Sequence, residues 1–357
     1  MNKKLRNLLV VFLLILGSVF VTTGLLYNYY SSSVSNSVLD KEIVIEAGSS
    51  SIKIGSILKE NNLIKSELFY KIYIKLFRID DLKAGTYLLN ENMSLGDIID
   101  NLQEGSSYNP DEISITFQEG INMRKIAKII ESSTNNTYDD VMALVADKEY
   151  LNELIDEYWF ISDDILNKSI YYSLEGYLYP DTYRFNNKDV TVKEIFEKLI
   201  KKMDSMLTPV KEEIEKSEFS VHELLTLASI AELEVNKEND RSEVISVFIN
   251  RLNKNMSLGS DITTRYSIKL DDTRALYKSE YNSVNAYNTR SSTMAGKLPA
   301  GPIGMVSKGS IEASINPSDS DALYFISNIK TNETFFYEKY SDFAKKKAEL
   351  ASVNNGY

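Results

Sequence analysis

Val221-His222-Glu223-Leu224-Leu225-Thr226-Leu227-Ala228-Ser229-Ile230-Ala231-Glu232-Leu233-Glu234 reads as a helix with a carboxylate on its apolar face. At about 100° per residue, Leu224, Ala228, Ala231 and Val235 form one stripe, with Leu225 and Leu227 on its shoulders. Glu232 falls between Ala228 and Leu225, where a core side chain is expected. Glu234 is turned by about 200° from it, beside Leu227 and Ile230. A carboxyl pressed against apolar surface has its charged form disfavoured and can hold a proton near neutral pH, which is what a general acid needs. Helical character resumes in Val244, Val247, Phe248, Ile249 and Leu252, with Asp240 and Glu243 spaced as an acidic capping box.

Composition narrows the chemistry around that acid. A chain of 357 residues exceeds one ordinary core, so two or three domains are expected. Its 51 acidic against 40 basic residues, net −11, oppose non-specific binding to a phosphate backbone, and nucleic acid is not an expected partner. The absence of cysteine excludes disulfides and thiolate metal sites. With His222 the sole histidine, neither a His-rich metal site nor a Ser-His-Asp triad is expected. No metal or cofactor is called for, and carboxylates remain as the agents of catalysis.

Upstream, Asn7 to Leu26 is an apolar or small-residue segment of about twenty residues, the length that crosses a bilayer core. Lys3, Lys4 and Arg6 precede it and the next charges are Asp40 and Lys41, which predicts a single-pass anchor with a cytoplasmic N-terminus and the remainder outside. Its length and the lack of an A-x-A-like site argue against a cleaved signal peptide. Tyr27, Tyr29 and Tyr30 suit the outer headgroup level, and Ser31 to Ser37 reads as a tether. Next comes a strand at Ile43 and Ile45, helices over Ile52–Leu58 and from Ser66, a strand at Thr86–Leu89 and a helix capped by Ser94 and Asp97 and stopped at Gly105. Ile113 to Ile130 repeats a strand-turn-helix theme through Glu119-Gly120.

Leu174 to Phe185 is dense in aromatics around a Pro180-Asp181 turn, with a packed corner favoured over a sugar platform. Thr191 and Glu194 cap a further helix. Leu298-Pro299-Ala300-Gly301-Pro302-Ile303-Gly304 reads as an exposed loop, Asn316-Pro317 as a helix stop, Leu323–Ile326 with Phe335–Tyr337 as a hairpin, and the tail from Lys345 as a solvated helix end. The expected divisions are residues 1–30 (cytoplasmic tip and transmembrane helix), 31–41 (linker), 42–107 (small module), 108–190 (connecting α+β region with the aromatic loop) and 191–350 (catalytic domain).

Several motifs then occur in a telling order: Leu174-Glu175-Gly176-x-Leu178-x-Pro180-Asp181-Thr182-Tyr183, Ala228-Ser229-Ile230-Ala231-Glu232-x-Glu234 and Val247-Phe248-Ile249-Asn250-Arg251-Leu252. Ser260-Asp261, Tyr287-Asn288-Thr289, Leu298-Pro299-x-Gly301-Pro302-Ile303, Asn316-Pro317 and Leu323-Tyr324-Phe325-Ile326 follow. Together they resemble the MltG/YceG-like endolytic murein transglycosylases over nearly the whole chain. The resemblance implies an α+β fold made of the transmembrane helix, a LysM-like module at about Glu42 to Gly105 and a mixed catalytic domain. It implies cleavage of the glycan strand of peptidoglycan between N-acetylmuramic acid and N-acetylglucosamine, leaving a 1,6-anhydromuramyl end. Glu232 matches the family's catalytic glutamate, expected to protonate the glycosidic oxygen and then to take the proton of the muramyl C6 hydroxyl. Glu234, Glu175, Ser260, Asp261, Tyr287 and Asn288 are the expected substrate-binding residues. Peptidoglycan strands, the cytoplasmic membrane, penicillin-binding proteins and other wall-synthesis proteins are the implied partners.

The chain departs from the family pattern at Gly259 and Ile262, at Arg290, and at Val306-Ser307-Lys308-Gly309, where an Asn-Pro-Gly is usual. Phe335-Phe336-Tyr337 stands where the hairpin usually has a His. Two readings stay open on sequence alone: a lytic transglycosylase, or a catalytically silent peptidoglycan-binding scaffold.

Overall fold

The computed structural model describes residues 3–354 except 107, 236 and 273; the Lys3 side chain also lies outside the described part. The fold is mixed α+β, in two compact units, Met1–Asp111 and Glu112–Tyr357. The first begins with α1 (Lys3–Ser31), long and apolar enough to cross a membrane, with its side chains exposed from Lys4 to Tyr29. Strands β1 (Lys41–Ile45) and β2 (Gly85–Leu89) pair antiparallel with Lys41 opposite Leu89. Ile43, Ile45, Tyr87 and Leu89 alternate with more exposed residues, so one sheet face is covered. The cover comes from α2 (Ser51–Glu60), α3 (Glu67–Leu76) and α4 (Leu95–Glu104), through Ile54, Leu58, Tyr70, Ile74, Ile98 and Leu102.

Caps set these helix starts. Ser50, Ser66 and Ser94 each accept from a first-turn N–H, and Ser94 with Asp97 forms a reciprocal capping box. The expected serine tether is pinned to the module instead of free. Ser35 N donates to Glu91 O at 3.1 Å, and Asn92 N donates to Ser37 O at 3.0 Å.

The second unit opens with β3 (Ile113–Thr116), α5 (Met123–Ser133), α6 (Tyr138–Ala146) and α7 (Lys148–Glu157). The aromatic stretch is more regular than a loop. Leu174 to Leu178 are buried, and Thr182–Phe185 is β4, antiparallel to β3 with Ile113 opposite Phe185. Tyr183 and Phe185 face inward in a period-two pattern that the Pro180-Asp181 turn obscures in the sequence. After α8 (Val192–Leu207) and α9 (Lys211–Lys216), one core joins Ile115, Ile126 and Leu174 to Phe196, Leu225, Ala228 and Met305. No break in packing falls at 190/191.

Helix α10 (Val221–Glu234) lies between two cores and has no single apolar stripe. Leu224, Leu225 and Ala228 join the core just described, while Leu227, Ile230 and Ala231 pack with Val244, Phe248, Tyr266, Tyr287 and Ile303. A helix covered on both sides is apolar all round, so its periodicity understates its burial. The next helix, α11 (Glu238–Asn253), begins before the expected Asp240 cap, from Lys237 and without a side-chain cap. It is followed by α12 (Asp261–Ser267), α13 (Lys278–Tyr281) and α14 (Lys308–Ile315), the last ending at Asn316.

Gly301 to Ser307 are buried, contrary to the exposed loop expected there. The backbone partners that burial demands come from neighbours: Ala300 O accepts from His222 Nε2 at 2.9 Å, Ile303 N donates to Ser229 Oγ at 3.1 Å and Met305 N to Ile121 O at 2.8 Å. Strands β5 (Tyr324–Asn328) and β6 (Glu333–Tyr337) form the expected hairpin. Arg251 Nε and Asn250 Nδ2 hold its entry through Leu323 O and Ala322 O. Helix α15 (Tyr340–Asn354) buries Leu350, so the Lys-rich tail packs as well as being solvated.

Gly176 has φ +80°, and a Cβ there would stand 2.3 Å from Cβ of Pro302. Gly176→Ala should therefore destabilise the fold by at least about 2 kcal/mol, combining left-handed strain with a clash in a packed core. A lower midpoint in urea denaturation of the second unit is the expected readout.

Candidate active site

Glu232 lies near the C-terminal end of α10, with its side chain 4% exposed. Arg241, one turn into α11, donates from Nη2 to Glu232 Oε1 at 2.7 Å. Oε2 accepts from Ser307 N at 2.9 Å, Ser307 Oγ at 2.5 Å and Ser310 Oγ at 2.7 Å. Ser307 is the N-cap of α14, so the carboxylate also faces the positive end of that helix. Arg241 Nη1 closes the ring by donating to Ser307 Oγ at 2.8 Å. The apolar pocket expected for Glu232 is thus replaced by a cage of donors. The wheel places the Cα correctly but does not reveal that α14 presents its N-terminus at that point.

The strand exit before α5 forms another wall. Gly120 N donates to Met305 O at 2.9 Å, and the site of a Gly120 Cβ lies 3.9 Å from Glu232 Cγ. The preceding Glu119 is exposed, and its carboxyl is raised by partial burial and by the charge of Glu232, against the pull of Arg241. Two separate hollows border this turn. One of about 490 Å³ is lined by Gln118, Glu119, Pro180 and Asp181; the other, about 130 Å³, by Gly120, Leu233, Arg124, Arg265 and Ile303. A larger hollow of about 790 Å³ along α8, lined by Tyr158, Phe185 and Lys198, shares no residue with this site.

Glu234 points to a different cluster. Ser260 Oγ donates to Glu234 Oε1 at 2.5 Å, and Asp261 forms an ion pair with Arg290. Burial raises the Glu234 carboxyl; the Ser260 hydrogen bond and the guanidinium charges of Arg290 and Arg251 oppose that, and Asp261 adds to it. Ser260 also caps α12 and is buried, whereas Asp261 is half-exposed. Arg290, a departure from the family pattern, is therefore the partner of Asp261.

Three expected binding residues are enclosed. Tyr287 lies between Tyr171 and Tyr266, with ring centroids 4.6 and 4.8 Å away. Asn288 donates to Ser283 O at 2.7 Å and accepts from Thr264 Oγ1 at 2.7 Å. Glu175 is 1% exposed and accepts from Met123 N at 2.9 Å, at the start of α5, and from Tyr266 Oη at 3.0 Å. These hydrogen bonds are spent within the protein, so in this conformation the three side chains hold loops in place. His222 is likewise structural, bonded to Tyr177 Oη at 2.8 Å and to Ala300 O.

Sequence reasoning missed Arg241, Ser307, Ser310 and Glu119 as neighbours of Glu232. A cap signal was present in Ser307 and Ser310, spaced as N-cap and N3. Nothing local in the sequence links Glu119 or Arg241 to the acid.

The model of the YceG-like family matches residues 43–349. An endolytic murein transglycosylase of Bacillus subtilis is 36% identical over 314 residues, 88% of this chain and 85% of that protein. One from Streptococcus pneumoniae is 30% identical over 344 residues, 90% of this chain and 61% of that protein. A crystal structure of a yceG-like protein from Listeria monocytogenes superposes with a TM-score of 0.62 at 34% identity, over 88% of this chain and all of that one.

Two stability predictions follow from the buried charges. Arg241→Gln removes the cation paired with the Glu232 carboxylate and should cost about 3–5 kcal/mol, part of which Glu232→Gln restores in the double variant, as read by chemical denaturation. Burial pushes the Glu175 carboxyl up from 4.5 to about 7. The native state therefore favours its protonated form. Its contribution to stability is complete below pH 4.5 and lost as pH rises to about 7, by on the order of 3 kcal/mol. In Glu175→Gln, denaturation midpoints across that window should lose this slope.

Proposed function

The chain belongs to the YceG-like family, and we propose that it is an endolytic transglycosylase of peptidoglycan in which Glu232 moves the proton. The observation that carries this reading is the asymmetry of the Glu232 carboxyl. Oε2 accepts three hydrogen bonds, while Oε1 accepts from Arg241 alone among the described residues. With three donors crowding Oε2, Oε1 is the oxygen proposed to meet the substrate oxygen.

In the proposed cycle, Glu232 carries a proton when the glycan is seated. The proton passes to the glycosidic oxygen as the bond to C1 of N-acetylmuramic acid breaks, and Glu232 becomes a carboxylate beside the positive sugar ring. The C6 hydroxyl then closes onto C1 and gives its proton to Glu232. The product is a 1,6-anhydromuramyl end, and the acid is regenerated. No second carboxylate is required, because an internal hydroxyl replaces the water of a hydrolase.

Glu234, Ser260 and Asp261 flank the other side of the α10 terminus and are the proposed sugar-binding groups, with Glu175, Tyr287 and Asn288 supporting them from behind. The β1-α2-α3-β2 unit within residues 42–107 is proposed as a LysM-like glycan-binding module, and 191–350, packed with 108–190, as the catalytic region. Helix α1 is proposed as a single-pass anchor with Lys4 and Arg6 on the cytoplasmic side. An enzyme so placed works beside penicillin-binding proteins and other wall-synthesis proteins on new strands.

Glu232→Gln keeps the shape and removes the exchangeable acid. Turnover should fall by about 100- to 10,000-fold while glycan binding persists. Mass spectrometry of glycan strands incubated with each protein reads the anhydromuramyl ends directly. Equal release by both proteins would exclude the role of Glu232; binding without cleavage by the native chain would establish a silent scaffold, and reducing ends would indicate a hydrolase.

A further inference from the structure

Helix α3 carries an apolar surface that glycan cleavage does not use. Leu68, Ile72 and Leu76 recur every four residues and are 69%, 54% and 68% exposed, and Phe77, just past the helix, is 51% exposed. The other side of α3, Tyr70 and Ile74, is buried in the module core. Between these faces, Phe69 and Tyr73 pack on the end of α1. The ring of Tyr27 lies 5.9 Å from Phe69 and 6.2 Å from Tyr73, and that of Tyr30 lies 5.4 Å from Phe69.

These contacts give α3 a direction along α1. Lys65, just before α3, donates to Ser32 Oγ at 2.8 Å and to Tyr29 O at 2.9 Å. Phe69 meets Tyr30 and Tyr27, and Tyr73 meets Tyr27. Advancing along α3 therefore means retreating along α1, toward its apolar body. Leu76 and Phe77 stand at the end of α3 nearest that body. Lys71 and Lys75 border the exposed stripe, Lys71 paired with Glu67 at 2.6 Å, and Arg78 follows. Asp81, beyond the helix, accepts from Gln103 on the module at 2.5 Å.

We infer that α3 is an interfacial helix: Leu68, Ile72, Leu76 and Phe77 enter the headgroup–acyl boundary of the bilayer spanned by α1, with Lys71, Lys75 and Arg78 facing lipid phosphates. This rests on the reading of α1 as a membrane anchor. The occupant of the stripe is lipid because the stripe adjoins an aromatic α1 end suited to the headgroup level and runs from there toward the spanning segment. A basic border beside an apolar face is the composition that anionic membrane surfaces attract. With Ser35 and Ser37 also bonded to the module, the first unit is held against the bilayer, not swung on a tether.

The chain has no cysteine, so single labels can be placed without background. Ile72→Cys and Leu76→Cys, each carrying an environment-sensitive fluorophore, are reconstituted as full chain into vesicles of phosphatidylcholine and phosphatidylglycerol containing nitroxide-labelled lipid. Val19→Cys in α1 reports the anchor, and Glu60→Cys at the exposed end of α2 reports water. The inference expects blue-shifted emission and loss of most of it to shallow nitroxides at Ile72 and Leu76, with Glu60 unaffected. Quenching at Val19 while both α3 positions match Glu60 overturns the docking and leaves the anchor standing. Absence of quenching at Val19 as well overturns both.

Discussion

A carboxylate removed from water must be matched by donors, and in this protein that requirement ties two consecutive helices to a third some seventy residues on. Glu232 belongs to α10, Arg241 to α11, and Ser307 and Ser310 to the start of α14. Losing Arg241 removes the cation paired with Glu232, and losing the Ser307 hydroxyl removes a hydrogen bond to each of Glu232 and Arg241. The cage therefore acts on register: a shift of α14 by one residue would withdraw both serine hydroxyls and the cap N–H together. Gly120 then fits against this assembly because it lacks a side chain; its Cβ would meet Leu233 Cδ2 at 2.8 Å.

The same logic explains why the segment before α14 can be buried although it is irregular. Its backbone groups are met by His222 and Ser229, two buried polar residues of α10, and by the backbone of Ile121. In α10, polar side chains thus take on work usually done by strands, satisfying a neighbour's main chain. Tyr177 bonds the other nitrogen of His222, and Gly176 lets Pro302 approach, so the aromatic segment and this buried segment depend on one another.

Where structure depends on neighbours in sequence, the chain was legible. The helix from Ser66, the caps at Ser94 and Thr191, the module's strands and the final hairpin follow from local pattern, because each is fixed within a few residues. Reading failed where the deciding partner was remote. Strand β4 is completed by β3, nearly seventy residues earlier. The burial of Gly301 to Ser307 depends on α10, and the start of α11 has no side-chain cap to announce it. At the site, the wheel separated Glu232 from Glu234 correctly, yet polar neighbours of Glu232 arrive from positions 241, 307 and 310. Tyr287 and Asn288 lie within the aromatic and threonine packing that their motif supports, a role that residue type alone does not distinguish from sugar contact.

The donor cage bears directly on the proposed acid. A general acid set in apolar surroundings is favoured as the resting, protonated group, but it gains nothing as its proton leaves. In the proposed cycle the demanding moment comes later, when the glycosidic bond has broken and a carboxylate faces a positive sugar ring. Arg241, the Ser307 N–H, two hydroxyls and the α14 N-terminus are already oriented toward the carboxylate that forms at that moment. Dipoles fixed before the reaction need no reorganisation during it, so in the proposed cycle they would lower the barrier more than they stabilise the seated substrate. The helix wheel suggested an acid kept protonated by exclusion from water; the fold surrounds the carboxyl with donors suited to its conjugate base. On that proposed account a single glutamate can serve both halves of the cycle, because the donors of α11 and α14 already surround the carboxyl that gives up the proton and takes it back.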